Sequence, residues 1–356
     1  MTHDSGSRSE PEGLPAHGDT PVMDTRDVPV LYIAGIGRSG STLLCRTLGT
    51  VDGCLATGEL MRIIGRGVET GDFCSCGRPV SECDLWGRVL AFLAQHCPDL
   101  DYARLESTRK WATESWGFLP YLFVKAKPEE RARDLDEYRR FLTTLYRAIR
   151  EVTGARVIVD ASKNLMFARL LTETPGVRVG VLHLVRDSRG VAYSLMKKQP
   201  RPGTSQRSEH FRQFGATIGS VLWSTAHVTT ERLRHRTASY VRLRYEDFVA
   251  DPSAAVERVL GETFPGVLPE RFAHVNCRSI DLGVDHLIAS NPNRSRRGTI
   301  ELHEDVDWRT HMSVWRRWLV TGLTFPLLRR YGYLGAPASD AVPARVGRVA
   351  TREPGQ

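Results

Sequence analysis

The sequence predicts an α/β fold of three layers, with a central, mainly parallel sheet flanked by helices. Two observations carry the prediction. Apolar runs suited to strands buried on both faces recur along the chain, and segments of helical periodicity lie between them. That alternation builds parallel sheets. The first strand is VPVLYIAGI (28–36), a continuous apolar run ending in glycines. Leu43, Leu44, Leu48 and Val51 then follow at helical spacing. Further strands are RVIVDAS (156–162), VRVGVLHLVRD (177–187) and SYVRLRYED (239–247), where Val241, Leu243 and Tyr245 alternate. The clearest helix covers 134–152, with Leu135, Tyr138, Phe141, Leu142, Leu145, Tyr146, Ile149 and Val152 on one face.

Residues from about 62 to 133 fit the alternation poorly and read as a helical insertion, carrying Trp86, Trp111, Trp116 and FLPYLFV (118–124). A single domain over 28–335 follows, between tails at 1–27 and 336–356 whose Pro-, Gly- and Ser-rich composition predicts disorder. WRRWLVTGLTFPLLRRYGYL (315–334) reads as a closing helix; peripheral membrane contact is its alternative reading. No run is long and apolar enough for a transmembrane segment, and the N-terminus lacks the apolar core of a secretory signal.

The 356 residues include 49 Lys+Arg against 41 Asp+Glu, a net charge of +8. The excess is modest, with neither basic runs interleaved with aromatics nor a nucleic-acid reading module. Its arginines fall in motifs suited to a small anion, so no nucleic-acid partner is expected. Seven cysteines, an odd count in a long chain, argue against a full disulfide framework and fit a cytoplasmic location.

Gly35-Ile36-Gly37-Arg38-Ser39-Gly40-Ser41-Thr42 leaves the first strand and enters a helix. Glycines there let successive N–H groups converge, and the helix N-terminus adds its own donors, which makes an anion site. The spacing is P-loop-like, but Ser41 stands where a nucleoside-triphosphate loop needs Lys. Arg38 supplies a cation from another position.

The strand with G-R-S-G-S-T-L-L resembles the 5′-phosphosulfate loop of sulfotransferases that use 3′-phosphoadenosine 5′-phosphosulfate (PAPS). HLVRDSRGVAYSL (183–195) is similar to the family's 3′-phosphate motif, with Arg186 at a strand end and Ser194 on the next helix. An Arg and a Ser so placed can converge on one phosphate. LRYEDFVADP (243–252) resembles the family's Tyr-Glu-Asp strand end, which would put Tyr245 near the adenine; a half-buried strand tyrosine is the plain alternative. HLIASNPNRSRRGTIELHEDVDWR (286–309) resembles the late loop that closes on the nucleotide, bringing Arg296, Arg297 and Gly298 to the 3′-phosphate. A solvated basic loop is its alternative. The resemblance therefore implies a donor site of Arg38, Ser39, Gly40, Ser41, Thr42, Arg186, Ser194, Tyr245, Arg296, Arg297 and Gly298, with PAPS as co-substrate and no metal.

In-line sulfuryl transfer needs positive charge on the moving oxygens and a base for the acceptor proton. Arg38 supplies charge. Glu59 in ATGEL (56–60) is the candidate base, at a spacing similar to the glutamate of tyrosylprotein sulfotransferases. Lys163 in VDASKN (159–164) is the third catalytic candidate, though it does not align cleanly with the family lysine. His183 lies in an apolar strand and reads as a core histidine; His286 is a candidate substrate contact. Cys74, Cys76 and Cys83 depart from paired zinc spacings and read as a reduced cluster or a single disulfide in preference to metal.

The expected activity is PAPS-dependent transfer of a sulfuryl group to a hydroxyl, in preference to an amine, of a small-molecule, sugar or lipid acceptor. The alternatives are a P-loop small-molecule kinase, if Lys163 replaces the missing loop lysine, and a non-catalytic nucleotide-binding protein. Neither the insertion nor residues 200–215 carries a readable acceptor code, and the oligomeric state is open.

Overall fold

The computed structural model describes residues 27–114, 128–198, 212–267, 274–275, 278–289 and 292–334. Both tails, residues 118–124 and most of 200–215 lie outside the described residues. Strands β1 (Val28–Gly35), β2 (Cys54–Gly58), β3 (Val157–Lys163), β4 (Val177–Val185) and β5 (Ser239–Arg244) form one parallel sheet in the order β2-β3-β1-β4-β5. The chain runs from β1 outward to β2, returns to β3, then crosses β1 to reach β4. The direction of winding therefore reverses beside β1, the place where open α/β sheets leave a crevice at the strands' carboxyl ends.

The period of two explains the layers. Val28, Val30, Tyr32 and Ala34 of β1 face one core, while Leu31 and Ile33 face the other. β4 repeats this, with Val177, Val179 and Val181 on the first side and Leu182 and Leu184 on the second. A strand with both faces covered must be apolar throughout, which is why these segments read as unbroken runs. Each such side chain, fully buried, stabilises the fold by roughly 1.5–3 kcal/mol before entropy is counted.

Helix α1 (Ser41–Gly49) packs Leu44 and Leu48 into the second core. Between β2 and the long helix that follows, the chain forms a 3₁₀ turn (Leu60–Arg62), a π-helical stretch (Ile63–Glu69), α2 (Asp84–His96) and α3 (Tyr102–Thr113). Trp86, Val89, Leu93 and Leu105 from this region share the first core with Val28 and Val30. They pack against α4 (Pro128–Thr153), which contributes Tyr138, Phe141, Leu142, Leu145, Tyr146 and Ile149.

The remaining helices are α5 (Leu165–Thr172), α6 (Ser188–Met196), α7 (Ala216–Leu233), α8 (Tyr245–Ala250), α9 (Pro252–Thr263), α10 (Asp307–His311) and α11 (Val314–Arg330). β6 (Ser279–Leu282) and β7 (Gly298–Glu301) pair as a separate antiparallel ribbon. α11 closes the domain as expected, burying Val320, Thr324 and Leu328 against α6 and α7. Trp315 and Trp318 on the same helix stand 62% and 73% exposed. Among the described residues, no helix is long and apolar enough to cross a membrane.

Candidate active site

Every strand of the main sheet delivers a candidate residue at its carboxyl end. β1 runs into the glycine-rich loop, β2 ends one residue before Glu59, β3 ends in Lys163, β4 ends one residue before Arg186, and β5 ends one residue before Tyr245. Adjacent strands are ~4.8 Å apart, so the ends of β2 and β1 lie ~10 Å from each other with β3 between them. Side chains from all three can reach one small ligand.

The loop is shaped by backbone geometry that side chains would obstruct. Gly40 caps α1 at φ 85° and brings no side-chain hydrogen bond to the first turn. A Cβ there would overlap Cε2 and Cδ2 of Tyr245, so the loop lies flush on that ring. Arg38 also has a positive φ, 72°, a strained conformation for a residue with a side chain. Ser39 is buried, and its Oγ has no hydrogen-bond partner. A buried hydroxyl in that state costs about 1–3 kcal/mol unless a ligand satisfies it. Ser41 and Thr42 are buried at the start of α1, where the helix N-terminus favours an anion.

Arg186 belongs to the same site. It donates from Nη1 to the Arg38 carbonyl at 2.9 Å, and its guanidinium lies 4.7 Å from the centroid of the Tyr245 ring. Nη2 is 2.7 Å from Oδ2 of Asp305, so a carboxylate sits on this arginine. Burial alone would raise the Asp305 carboxyl, but the hydrogen bond and charge of Arg186 more than offset it and hold it below the usual range. Ser194 lies half-buried on α6, the helix that follows Arg186. Tyr245 begins α8 and is buried between the loop and Arg186.

Glu59 and Lys163 meet. Lys163 Nζ donates to Glu59 Oε1 at 2.8 Å, and Arg62 Nε donates to Oε2 at 3.0 Å. Burial pushes the Glu59 carboxyl up, while the charges and hydrogen bonds of Lys163 and Arg62 outweigh it and bring it below the ordinary value. Lys163 holds φ 61°, the second strained residue of the site. It pairs in register with Ala34, immediately before the loop, which brings the Glu59 pair to the loop's edge. A polar cavity of about 270 Å³ is lined by Arg62 together with Arg66, Glu69, Glu106, Arg109 and Lys110.

The late loop is only partly drawn in. The 3₁₀ turn Pro292–Ser295 packs against α1, and Arg294 is buried with Nη2 donating to the Phe73 carbonyl at 3.0 Å. Arg296, Arg297 and Gly298 are exposed. His183 is a core histidine as the sequence implied, with Nδ1 2.6 Å from the Tyr240 hydroxyl and Nε2 2.7 Å from Nδ1 of His227. Burial holds it well below its ordinary pKa, and it is remote in kind from a base exposed to substrate. Two residues of the site escaped the sequence reading. Arg62 was signalled only by its i+3 spacing from Glu59, and Asp305 by nothing local.

The fold and site together define an α/β protein that presents a glycine-rich strand-to-helix loop beside a Glu59–Lys163 ion pair. Within that class the chain belongs to the sulfotransferase family, whose sequence profile matches residues 29–262. Among solved structures it is similar to the sulfotransferase domain of the olefin synthase from Synechococcus PCC 7002, at 16% identity and TM-score 0.41, over 87% of this chain and 98% of that one. It is also similar to the sulfotransferase STF1 from Mycobacterium tuberculosis H37Rv, at 17% identity and TM-score 0.38, over 69% of each chain. No curated protein matches the chain.

Proposed function

We propose that this protein transfers the sulfuryl group of PAPS to a hydroxyl of a small-molecule, sugar or lipid acceptor, with Glu59 as general base. The observation that carries the reading is the buried, unpartnered Ser39 Oγ in a loop that Arg186 also binds. Hydroxyl, backbone N–H groups and guanidinium there suit a donor with phosphate at two positions. When bound, PAPS supplies the sulfuryl group and a bisphosphate leaving group.

The chain's own residues account for the rest. Arg38, Ser39, Gly40, Ser41 and Thr42 would hold the 5′ end; Arg186 and Ser194 would take the 3′-phosphate, and the Tyr245 ring would border the base. Arg296, Arg297 and Gly298 are exposed now and would serve only by folding inward over the donor. Lys163 would turn from Glu59 toward the moving group, adding positive charge where it develops. Glu59 then loses a cationic partner, its proton affinity rises, and it can accept the acceptor's proton. The cavity beside Arg62 is the proposed approach for that acceptor, and its charged lining favours a polar one.

A small-molecule kinase is disfavoured by family membership and by Ser41 at the position of the loop lysine. Calorimetry with 3′-phosphoadenosine 5′-phosphate and with ATP separates the readings. Tight binding of the bisphosphate is expected, weakened roughly 10- to 100-fold in Arg186→Ala, since a hydrogen bond to a charged group is worth about 1.5–3 kcal/mol. Tight ATP binding without bisphosphate binding would sink the proposal. Screening donor-loaded enzyme for acceptors that gain the mass of one SO₃ group would then name the substrate.

A further inference from the structure

We infer that Cys74, Cys76, Cys83 and His286 form a structural zinc site, distinct from the donor site and independent of the reaction assigned to it. The four ligand atoms, three Sγ and one ring nitrogen, all lie within 4.8 Å of one another. Sγ of Cys83 is 3.7 Å from that of Cys74 and 3.8 Å from that of Cys76. Nδ1 of His286 is 3.1 Å from the Cys83 sulfur and 3.8 Å from the Cys74 sulfur. A tetrahedron with vertices ~2.3 Å from its centre, the zinc–thiolate bond length, has edges of ~3.8 Å. The sulfur spacings are those of such edges. They are far beyond the ~2.05 Å of a disulfide bond, one of the two readings, with a reduced cluster, that the sequence alone favoured over metal.

The chain is shaped to hold the four atoms there. Gly77, at φ 96°, turns the segment so that its N–H donates to the Cys74 carbonyl at 2.9 Å, and Cys74 N–H donates to the Arg78 carbonyl at 2.8 Å. This tight hairpin aims Cys74 and Cys76 to one side. Cys83 is the N-cap of α2, and its carbonyl accepts from Gly87 N–H at 2.7 Å. The fourth ligand arrives from 203 residues away. His286 is fixed through its neighbours. Trp86 Nε1 donates to its carbonyl at 2.8 Å, and Leu287 N–H donates to Ser75 Oγ at 2.7 Å. Ser75 Oγ is also 2.7 Å from a carboxylate oxygen of Asp285, which pairs with Arg46 of α1. Such outer partners orient metal ligands.

The donor set selects the ion and its role. Three thiolates and an imidazole suit a borderline-soft metal of tetrahedral preference, and Zn²⁺ is the ion of that description without redox chemistry. Four protein ligands complete its coordination, which is the pattern of a structural site. On binding, three Zn–S bonds and one Zn–N bond form, three S–H bonds break, and their protons pass to solvent with no electron transferred. The segment so anchored runs into the candidate active site: Glu59 N–H donates to the Ile288 carbonyl and Ile288 N–H to that of Thr57, both at 2.9 Å. Arg294 of the late loop reaches the Phe73 carbonyl beside the same hairpin. One ion would thus tie the insertion to both the base's backbone and the late loop.

The experiment is metal analysis of the full-length protein, purified without chelators or a metal-affinity step. About one zinc per chain is expected, retained in Cys97→Ser, lost in Cys76→Ser and kept in His286→Cys. Replacing it with Co²⁺ should give the thiolate charge-transfer and tetrahedral d–d bands, and a chelator should lower the thermal midpoint reversibly. The cobalt spectrum is read on the unmutated chain, so a variant that fails to fold does not decide the matter. Protein that holds no zinc and gives no cobalt bands when reduced, or holds iron or a disulfide at these cysteines, overturns the proposal. None of these readouts uses PAPS, so they stand or fall apart from the sulfotransferase assignment.

Discussion

Lys163 and Glu59 were readable as separate candidates, one at a strand end and one after a Thr-Gly pair, but their hydrogen bond was not. A contact across 104 residues has no local signal. It matters because it sets the charge of the candidate base: lowered by its two cations, Glu59 is ionised at neutral pH. Its contribution to stability is therefore full above the ordinary carboxylate range and is lost as pH falls through its lowered folded value. Glu59→Gln should leave bisphosphate affinity near that of the unmutated protein and reduce kcat roughly 100- to 10,000-fold, the range of general-base catalysis. Steady-state kinetics and calorimetry on one preparation check both halves. A variant with near-normal turnover removes Glu59 as the base. Arg38 and Arg186 are candidates for a different reason: each sits within a local motif whose spacing is itself the signal.

At the scale of elements, β1, β3 and β4 stood out because doubly buried strands read as apolar runs, and β5 because its buried residues alternate. β2 did not. Cys54–Gly58 has five residues, and only Ala56, Thr57 and Gly58 are buried. The four-residue strands β6 and β7 are too short for their alternation to register. α4 begins at Pro128, several residues before its apolar stripe, because its first turns are polar and a proline is well suited to open a helix. The packing of α1 on β2 offers a test of how tightly these elements are joined. A Cβ on Gly49 would lie 2.6 Å from the Ala56 Cβ, so the helix or the strand must move. Gly49→Ala should therefore destabilise by about 1–3 kcal/mol, the usual effect of overpacking, seen as a lower denaturant midpoint at unchanged m-value. An unaltered midpoint would mean that β2 yields freely.

Among the described residues the two largest apolar cores lie on either face of one sheet, and a carboxyl group lies within that sheet. Asp160 of β3 is fully buried, accepting from Tyr146 Oη at 2.6 Å and from Ser162 N–H at 2.7 Å. Burial, only partly offset by those bonds, pushes it up to about 6. Its folded value exceeds the unfolded value of ~3.9, so the folded state binds more protons between the two. This group's contribution is thus complete at the acid end and declines as pH rises through that window. Asp160→Asn should gain stability relative to the unmutated protein across the same window, measured by denaturant unfolding at several pH values. Parallel pH dependences in the two proteins would show that Asp160 is charged throughout. Composition indicated two covered faces, whereas the strand order and this buried carboxylate depend on contacts that no stretch of sequence contains.

The Asp305 carboxylate already occupies Arg186. If Arg186 takes the 3′-phosphate as proposed, that phosphate has to displace a tethered carboxylate and does not meet a bare cation. An incoming ligand must bring more than one negative charge, and groups for the loop as well, before the exchange becomes favourable. Entry is therefore a trade of anions rather than the filling of a bare cation. On that reading, discrimination against simple salts would be built in before any donor arrives.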